Sequence, residues 1–159
     1  VGRGEVDFGI AVAPTSNSEL IAFDELLQEP LVGVFPRGHP IRRIGRTSWA
    51  ELAQHPFVAM SKTTSVRQLT DAAFSQAQQT VPPVYEVSHL ATAGALVAAG
   101  MGVTALPQLA LAAMDQAALQ TCILDHPIAS RSIGFLTRAG RTLAPGAIAF
   151  MQVIRGSLR

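Results

Sequence analysis

The 159-residue chain has one cysteine, Cys122, one tryptophan and one tyrosine, and only 14% of its residues are charged. A single cysteine excludes an internal disulfide and any cysteine-based metal site, and it is compatible with a reducing compartment. Lysine and arginine number 12 against 11 acidic residues, a net charge of +1. With cations so scattered there is no stripe that could neutralise successive phosphates of a nucleic acid. No apolar run reaches the length needed to cross a bilayer, and no signal peptide precedes the first expected strand, so no membrane role is expected. Internal repeats and low-complexity tracts are absent as well. The chain begins at Val1 rather than at a methionine, and a fragment of a longer protein is the expectation.

What is present is an alternation of short apolar runs with turn and cap residues, which argues for an α/β architecture with mainly parallel strands. The clearest stretch runs from Ser88 to Pro107. Ser88 is placed to cap a helix rich in alanine, Gly100 and Gly102 supply the positive-φ positions that end it, Val103 to Leu106 reads as a buried strand, and Pro107 suits the first turn of another helix. Upstream, Val6 to Val12, Leu20 to Leu27 and Glu29 to Pro36 are extended, with a turn-rich loop from Ala13 to Ser18 between the first two. Ser48-Trp-Ala-Glu51 and Ser65-Val-Arg-Gln68 each fit a capping box opening a helix. Phe57 to Met60, Val84 to Val87 and Ser132 to Thr137 are further expected strands, and Pro145 to Ile154 is a closing helix.

Leu96-Val-Ala-Ala-Gly-Met-Gly-Val-Thr-Ala-Leu-Pro107 resembles the "LVAAGxGVxxLP" signature of the effector-binding domain of LysR-type transcriptional regulators. Three other segments match that family in the same order: Gly4-Glu-Val-Asp-Phe-Gly-Ile-Ala11, Pro30-Leu-Val-Gly-Val-Phe with Gly38-His-Pro40, and Trp49-Ala-Glu-Leu with Pro56-Phe-Val. The resemblance implies a two-lobe, periplasmic-binding-protein-like (type 2) fold. Residues 1–40 and 127–159 would form the first lobe and 41–126 the second, with two crossovers between them and an effector held in between. The family's helix-turn-helix and the opening strand–helix–strand of its first lobe have no counterpart here, so the first lobe is expected to be incomplete.

The candidate ligand chemistry lies at Ser61-Lys-Thr-Thr-Ser65, a loop between a buried strand and a capped helix. Open α/β sheets bind ligands at the carboxyl ends of their strands, and a helix N-terminus favours an anion. The resemblance carries Ser61, Thr63, Thr64 and Ser65 into the effector site. Val12, Ala13 and Pro14 would form an uncharged opposing wall, and Ser88 and Thr104 complete the candidate set. An equally simple alternative for the hydroxyls is that they cap and solvate the helix.

Other residues read as structural. His39, His55 and His126 each precede a proline, as turn residues do, so no metal site and no cofactor are expected. The resemblance makes Asp7, near Glu5, a structural corner, Ser132 lacks a nucleophile elbow, and Cys122 has no nearby cation to activate it. The cluster Arg37, Arg42, Arg43 and Arg46 is the one basic concentration, read as a solvated hinge surface.

The expectation is therefore the effector-sensing domain of a cytoplasmic LysR-type regulator that takes a small carboxylate or other anion and is not an enzyme. Its full-length form would be a homodimer or homotetramer and would meet DNA only through the absent helix-turn-helix. A solute-binding protein of a transporter is the alternative, since it shares the two-lobe design. An enzyme on the same fold is disfavoured, because no acid–base pair, nucleophile or metal set emerges. A gel shift with duplex DNA should show no tight, sequence-dependent retention of the 159-residue chain, because binding strength scales with the phosphates neutralised; specific retention would overturn the reading.

Overall fold

The structure, a computed structural model, describes residues 1–2, 4–14, 19–41 and 45–158. Its elements in chain order are β1 (Phe8–Val12), β2 (Ile21–Pro36), β3 (Arg46–Ser48), α1 (Trp49–Leu52), β4 (Val58–Met60), α2 (Ser65–Gln76), β5 (Tyr85–Val87), α3 (Leu90–Ala98) and β6 (Thr104–Pro107). A 3₁₀ helix (Gln108–Ala113), β7 (Leu119–Asp125), β8 (Ser130–Arg138) and α4 (Pro145–Ser157) complete the chain. It divides into two compact units, one of Val1–Gln28 with Arg131–Arg159 and one of Glu29–Ser130. The divisions fall inside β2 and at the start of β8.

In the first unit β1 pairs antiparallel with β8, placing Ile10 opposite Phe135. Phe135 is fully buried, with Phe8 edge-on to it at 5.4 Å. Pro145 opens α4 at a position where its missing N–H leaves no bond unmade.

In the second unit β2 lies between β6 and β7 and is antiparallel to both, with Val32 opposite Leu106 on one side and Ile123 on the other. Parallel pairing joins β3 to β7 and β4 to β5, and a parallel bridge joins Phe57 to Val103. The α/β class stands, but the expectation of mainly parallel sheets is overturned. The cause is β2. Leu20–Leu27 and Glu29–Pro36 read as two strands but form one, and that strand runs against its neighbours β6 and β7. Strand β7 went unread because it follows the 3₁₀ helix without a glycine or proline to mark it, and β3 because Arg-Thr-Ser carries no apolar signal.

The core of this unit contains Val34, Trp49, Leu52, Val58, Val97 and Leu106, none with any exposed surface. Trp49 and Phe57 each meet the Phe74 ring edge-on at 5.1 Å, and the Trp49 indole N–H donates to Pro127 O at 2.8 Å. Buried aromatics of this kind contribute both area and a satisfied polar edge.

Cap residues differ in detail from the expectation. Ser48 does cap α1, accepting from the Glu51 N–H at 3.1 Å. Helix α2 is capped by Thr64 rather than Ser65, and α3 begins after His89, with no side-chain cap from Ser88. Pro107 ends β6, and the turn after it is 3₁₀. The loop residues Thr15 to Ser18 and the cations Arg42 and Arg43 lie outside the described residues. Among the described residues no helix is long and apolar enough to cross a membrane.

Gly100 and Gly102 both have positive φ, +75° and +148°, as the helix stop requires. A β-carbon on Gly100 would meet nothing, whereas one on Gly102 would run into the Pro56 carbonyl oxygen, a backbone atom that itself accepts from Val103 N–H. Gly100→Ala should therefore cost about 1–2 kcal/mol, from conformation alone. Gly102→Ala should cost more, roughly 2–4 kcal/mol, because overpacking adds to strain. Val97→Ala, in the core, should cost on the order of 1–3 kcal/mol. Chemical denaturation of the three variants checks the order, and a Gly102→Ala protein no less stable than Gly100→Ala would refute it.

Candidate functional site

Parallel pairing of β4 with β5 sets Met60 beside Val87, so both strands open at their carboxyl ends onto the same edge. Ser61 N–H continues the ladder, donating to Val87 O at 2.8 Å. The chain then turns tightly. Thr64 N–H donates to Ser61 O at 3.0 Å, and the Thr64 hydroxyl donates to the same oxygen at 2.8 Å. That hydroxyl also accepts from Arg67 N–H at 3.2 Å, which makes Thr64 the N-cap of α2. The hydroxyls of Ser61 and Thr63 share a hydrogen at 3.3 Å. Ser65 and Val66, the first two residues of α2, have N–H groups with no intrahelical acceptor. The loop thus presents hydroxyls, first-turn amides and the exposed cation Lys62, a set suited to holding an anion.

Beneath the loop sits Arg67, which the sequence analysis did not single out. Its side chain is only 11% exposed. Nε donates to both carboxylate oxygens of Asp71 at 2.8 and 2.9 Å, and Nη1 donates to Met60 O at 3.1 Å and Glu86 at 2.9 Å. The hydrogen bond with Asp71, ahead of that with Glu86, raises the guanidinium pKa above its ordinary value, although burial works the other way. Engaged by two carboxylates, Arg67 ties the end of β4 to β5 and α2. The i,i+4 spacing of Arg67 and Asp71 was the available signal for it.

The other candidate residues are placed as follows. Ser88 is exposed directly after β5, one residue beyond the Val87 carbonyl that receives Ser61. Thr104 is 1% exposed and its hydroxyl donates to Val58 O at 2.7 Å, so it ties β6 to β4 inside the core. Val12, Ala13 and Pro14 belong to the first unit; Val12 pairs with Ile133, and Ala13 N–H donates to Ser132 O at 2.9 Å. Ser132 is part of a polar group there, its hydroxyl donating to Glu25 at 2.6 Å while the Gln28 amide donates to the same carboxylate at 2.6 Å.

The histidines and the cysteine have packing roles. His39 and His55 meet edge-to-face at 4.6 Å, and the His39 pKa is lowered, first by burial and then by His55. The buried Cys122 thiol is pushed up to about 11 by desolvation, which leaves it unreactive at neutral pH. Of the arginine cluster, Arg37 donates to Ala117 O at 2.7 Å and Arg46 pairs with Asp125 at 3.0 Å. Among the described residues no three His, Cys, Asp or Glu side chains gather as a metal site would require.

The family model described as the LysR substrate binding domain matches residues 1–159. The chain belongs to the LysR substrate-binding domain family. Its members are domains of regulators rather than enzymes, and the solute-binding-protein alternative gives way to them. An uncharacterised HTH-type transcriptional regulator of Escherichia coli K12, YbhD, is 31% identical over 150 residues, covering 94% of this chain and 47% of the relative. The chain spans about half the length of the curated relatives it matches.

Among solved structures, the regulatory domain of CcmR from Synechocystis PCC6803, in complex with 2-PG, superposes with a TM-score of 0.84 at 21% identity, covering 99% of this chain and 76% of that one. The effector-binding domain of QuiR in complex with shikimate gives a TM-score of 0.81 at 19% identity, covering 98% and 73%. These likenesses place the LysR chain in the fold of known effector-binding domains.

Arg67→Met should lower stability by about 1–3 kcal/mol, since it removes the tie to Met60 O while Asp71 and Glu86 can turn to solvent. Amide exchange from Ser61 to Arg67 should speed up more than in β6 or β7. Uniform acceleration across the unit would show that Arg67 does not hold the loop in particular.

Proposed function

We propose that this LysR chain senses a small anionic effector, a carboxylate or a related oxyanion, through the Ser61–Ser65 loop. The carrying observation is the loop itself, which sets two exchangeable hydroxyls and the first N–H groups of α2 at the carboxyl ends of paired strands β4 and β5. Ser61, Thr63, Ser65 and Lys62 are the residues placed to meet the ligand. Thr64 shapes the loop through its two hydrogen bonds. Ser88, beside the Ser61 amide, is a further contact, and Val12, Ala13 and Pro14 are kept as candidate contacts contributed by the first unit. The buried hydroxyl of Thr104 supports the strands below rather than meeting a ligand.

Support comes from the company the chain keeps. The CcmR domain was captured with 2-PG and the QuiR domain with shikimate, and their fold is this one. The curated relatives are about twice as long and are named HTH-type regulators. We therefore read the chain as the sensing part of a cytoplasmic, homo-oligomeric transcriptional regulator, with DNA contacted by a separate helix-turn-helix. An effector can shift the regulator only by its differential affinity for the two states, so a modest, reversible site is sufficient.

Isothermal titration of the chain with shikimate and with 2-PG tests the loop. At least one anion should bind, and Ser61→Ala and Thr63→Val should each weaken it about tenfold, the loss expected for one hydrogen bond to a charged group. Binding unchanged in both variants would remove the loop from the site, and no heat with either anion would count against this effector class.

A further inference from the structure

Where β2 ends at Pro36, the chain turns on itself and one imidazole closes the turn. The His39 backbone N–H donates to Pro36 O at 3.1 Å, and Arg37 N–H donates across to Ala118 O at 2.9 Å. The His39 side chain holds the far end, its Nδ1 accepting from Ile41 N–H at 3.4 Å. That bond settles the tautomer. A backbone N–H can only donate, so Nδ1 is the bare nitrogen and the ring proton of neutral His39 is on Nε2.

What surrounds the ring is poorly suited to a positive charge. Its neighbours are the Phe35 ring of β2 at 5.2 Å and, edge-on at 4.6 Å, the imidazole of His55 just after α1. The Nε2 of His55 is itself buried and has no hydrogen-bond partner. Among the described residues no carboxylate bonds to either imidazole. The charged groups on the neighbouring elements are Arg37, taken up by Ala117 O at 2.7 Å, Arg46, paired with Asp125 at 3.0 Å, and Glu51, which lines one concavity with Ile41, Arg46 and His55. Arg42 and Arg43, which follow Ile41, lie outside the described residues.

We infer that His39 is an acid-sensitive latch, which closes the turn at residues 36–41 when neutral and releases it when protonated. An imidazolium has two N–H donors and no acceptor, so no rotation of the ring lets it take the Ile41 N–H. Its charge would also stand against a second imidazole with no carboxylate to offset it. Burial first, and His55 after it, hold the His39 pKa below the ordinary imidazole value of about 6.5. The fold thus favours the neutral ring. The stability that this contributes is fully present above about pH 6.5 and is lost as the pH falls through the lowered pKa of the folded state. The latch gives the Glu29–Ser130 unit a response to acidity that is separate from the loop at residues 61–65 and does not depend on the proposed effector.

An NMR titration of the 159-residue chain from about pH 7.5 to about pH 5 spans the range in which imidazoles take up protons and tests the latch. The His39 ring should titrate below an unstructured histidine, and the Ile41 amide signal should move with the same midpoint while amides of α4 do not follow it. His39→Asn sets an amide oxygen where Nδ1 stands, which keeps an acceptor for Ile41 but cannot take a proton. This variant should melt close to the parent at neutral pH and lose less of its melting temperature on acidification. His55→Phe should leave the Ile41 bond in place and bring the His39 midpoint back toward the ordinary value. A His39 midpoint at or above that of an unstructured histidine, an Ile41 signal that does not follow it, or a His39→Asn chain with the parent's full acid sensitivity would each overturn the inference.

Discussion

Pairing on both edges of β2 is the constraint on which the second unit is built. From Leu31 to Phe35 every residue is buried, and strands flank both edges. Such a strand reads as a continuous apolar run rather than an alternation. Its centre is Gly33, where a β-carbon would press on the Phe35 ring at 2.9 Å and on Leu124 at 3.4 Å. The glycine lets the Phe35 ring fold back along its own strand. Because β6 and β7 both run against β2, they are parallel to each other yet separated by it. The chain must therefore cross from one to the other, which is the task of the 3₁₀ helix and of the segment that follows.

Two buried ionic side chains secure what that arrangement leaves open. Glu29, at the start of the unit, accepts the backbone N–H of Leu109 just beyond β6, and Arg67 donates to the backbone oxygen of Met60 at the end of β4. Each satisfies a backbone group that the ladder has stopped serving, a recurrent need where strands end. Their surroundings differ. The partners of Arg67 are exposed carboxylates, 60% and 42% open, so their attraction is screened and the tie rests largely on hydrogen bonds and packing.

How much of this was legible in the sequence depended on whether a local rule decided the outcome. Gly100 ends α3 with positive φ, Ser48 caps α1 and Pro145 opens α4, since a cap or a forbidden dihedral acts within a few residues. The family resemblance was legible for the same reason, since its motifs are local turns and strand starts. The direction of β2 was not, because direction is fixed by partners 70 to 91 residues away. Nor were Arg67 and Glu29 legible as buried charges, since burial of a charge needs a partner that only the fold supplies. At the candidate loop the helix cap falls one residue earlier than the sequence suggested. Thr64 caps the helix and Ser65 follows it, which a shift of one position in a run of hydroxyls cannot reveal.

That division of labour bears on what the loop can do. If Ser65 were the cap, Thr64 would be free and the loop would have one more hydroxyl for a ligand; with Thr64 closing the turn, the free donors are Ser61, Thr63 and the first amides of α2. The nearest guanidinium, Arg67, is already held by two carboxylates and cannot clamp an anion in the bidentate manner that gives the tightest sites. Charge for an anion thus comes from helix amides and Lys62. A site of hydroxyls, helix amides and a single exposed lysine binds less tightly and releases more readily than an arginine fork. On the proposed reading, in which this loop meets the effector and the domain reports its concentration, a ligand that leaves when its supply falls is required, and the engagement of Arg67 elsewhere suits that requirement.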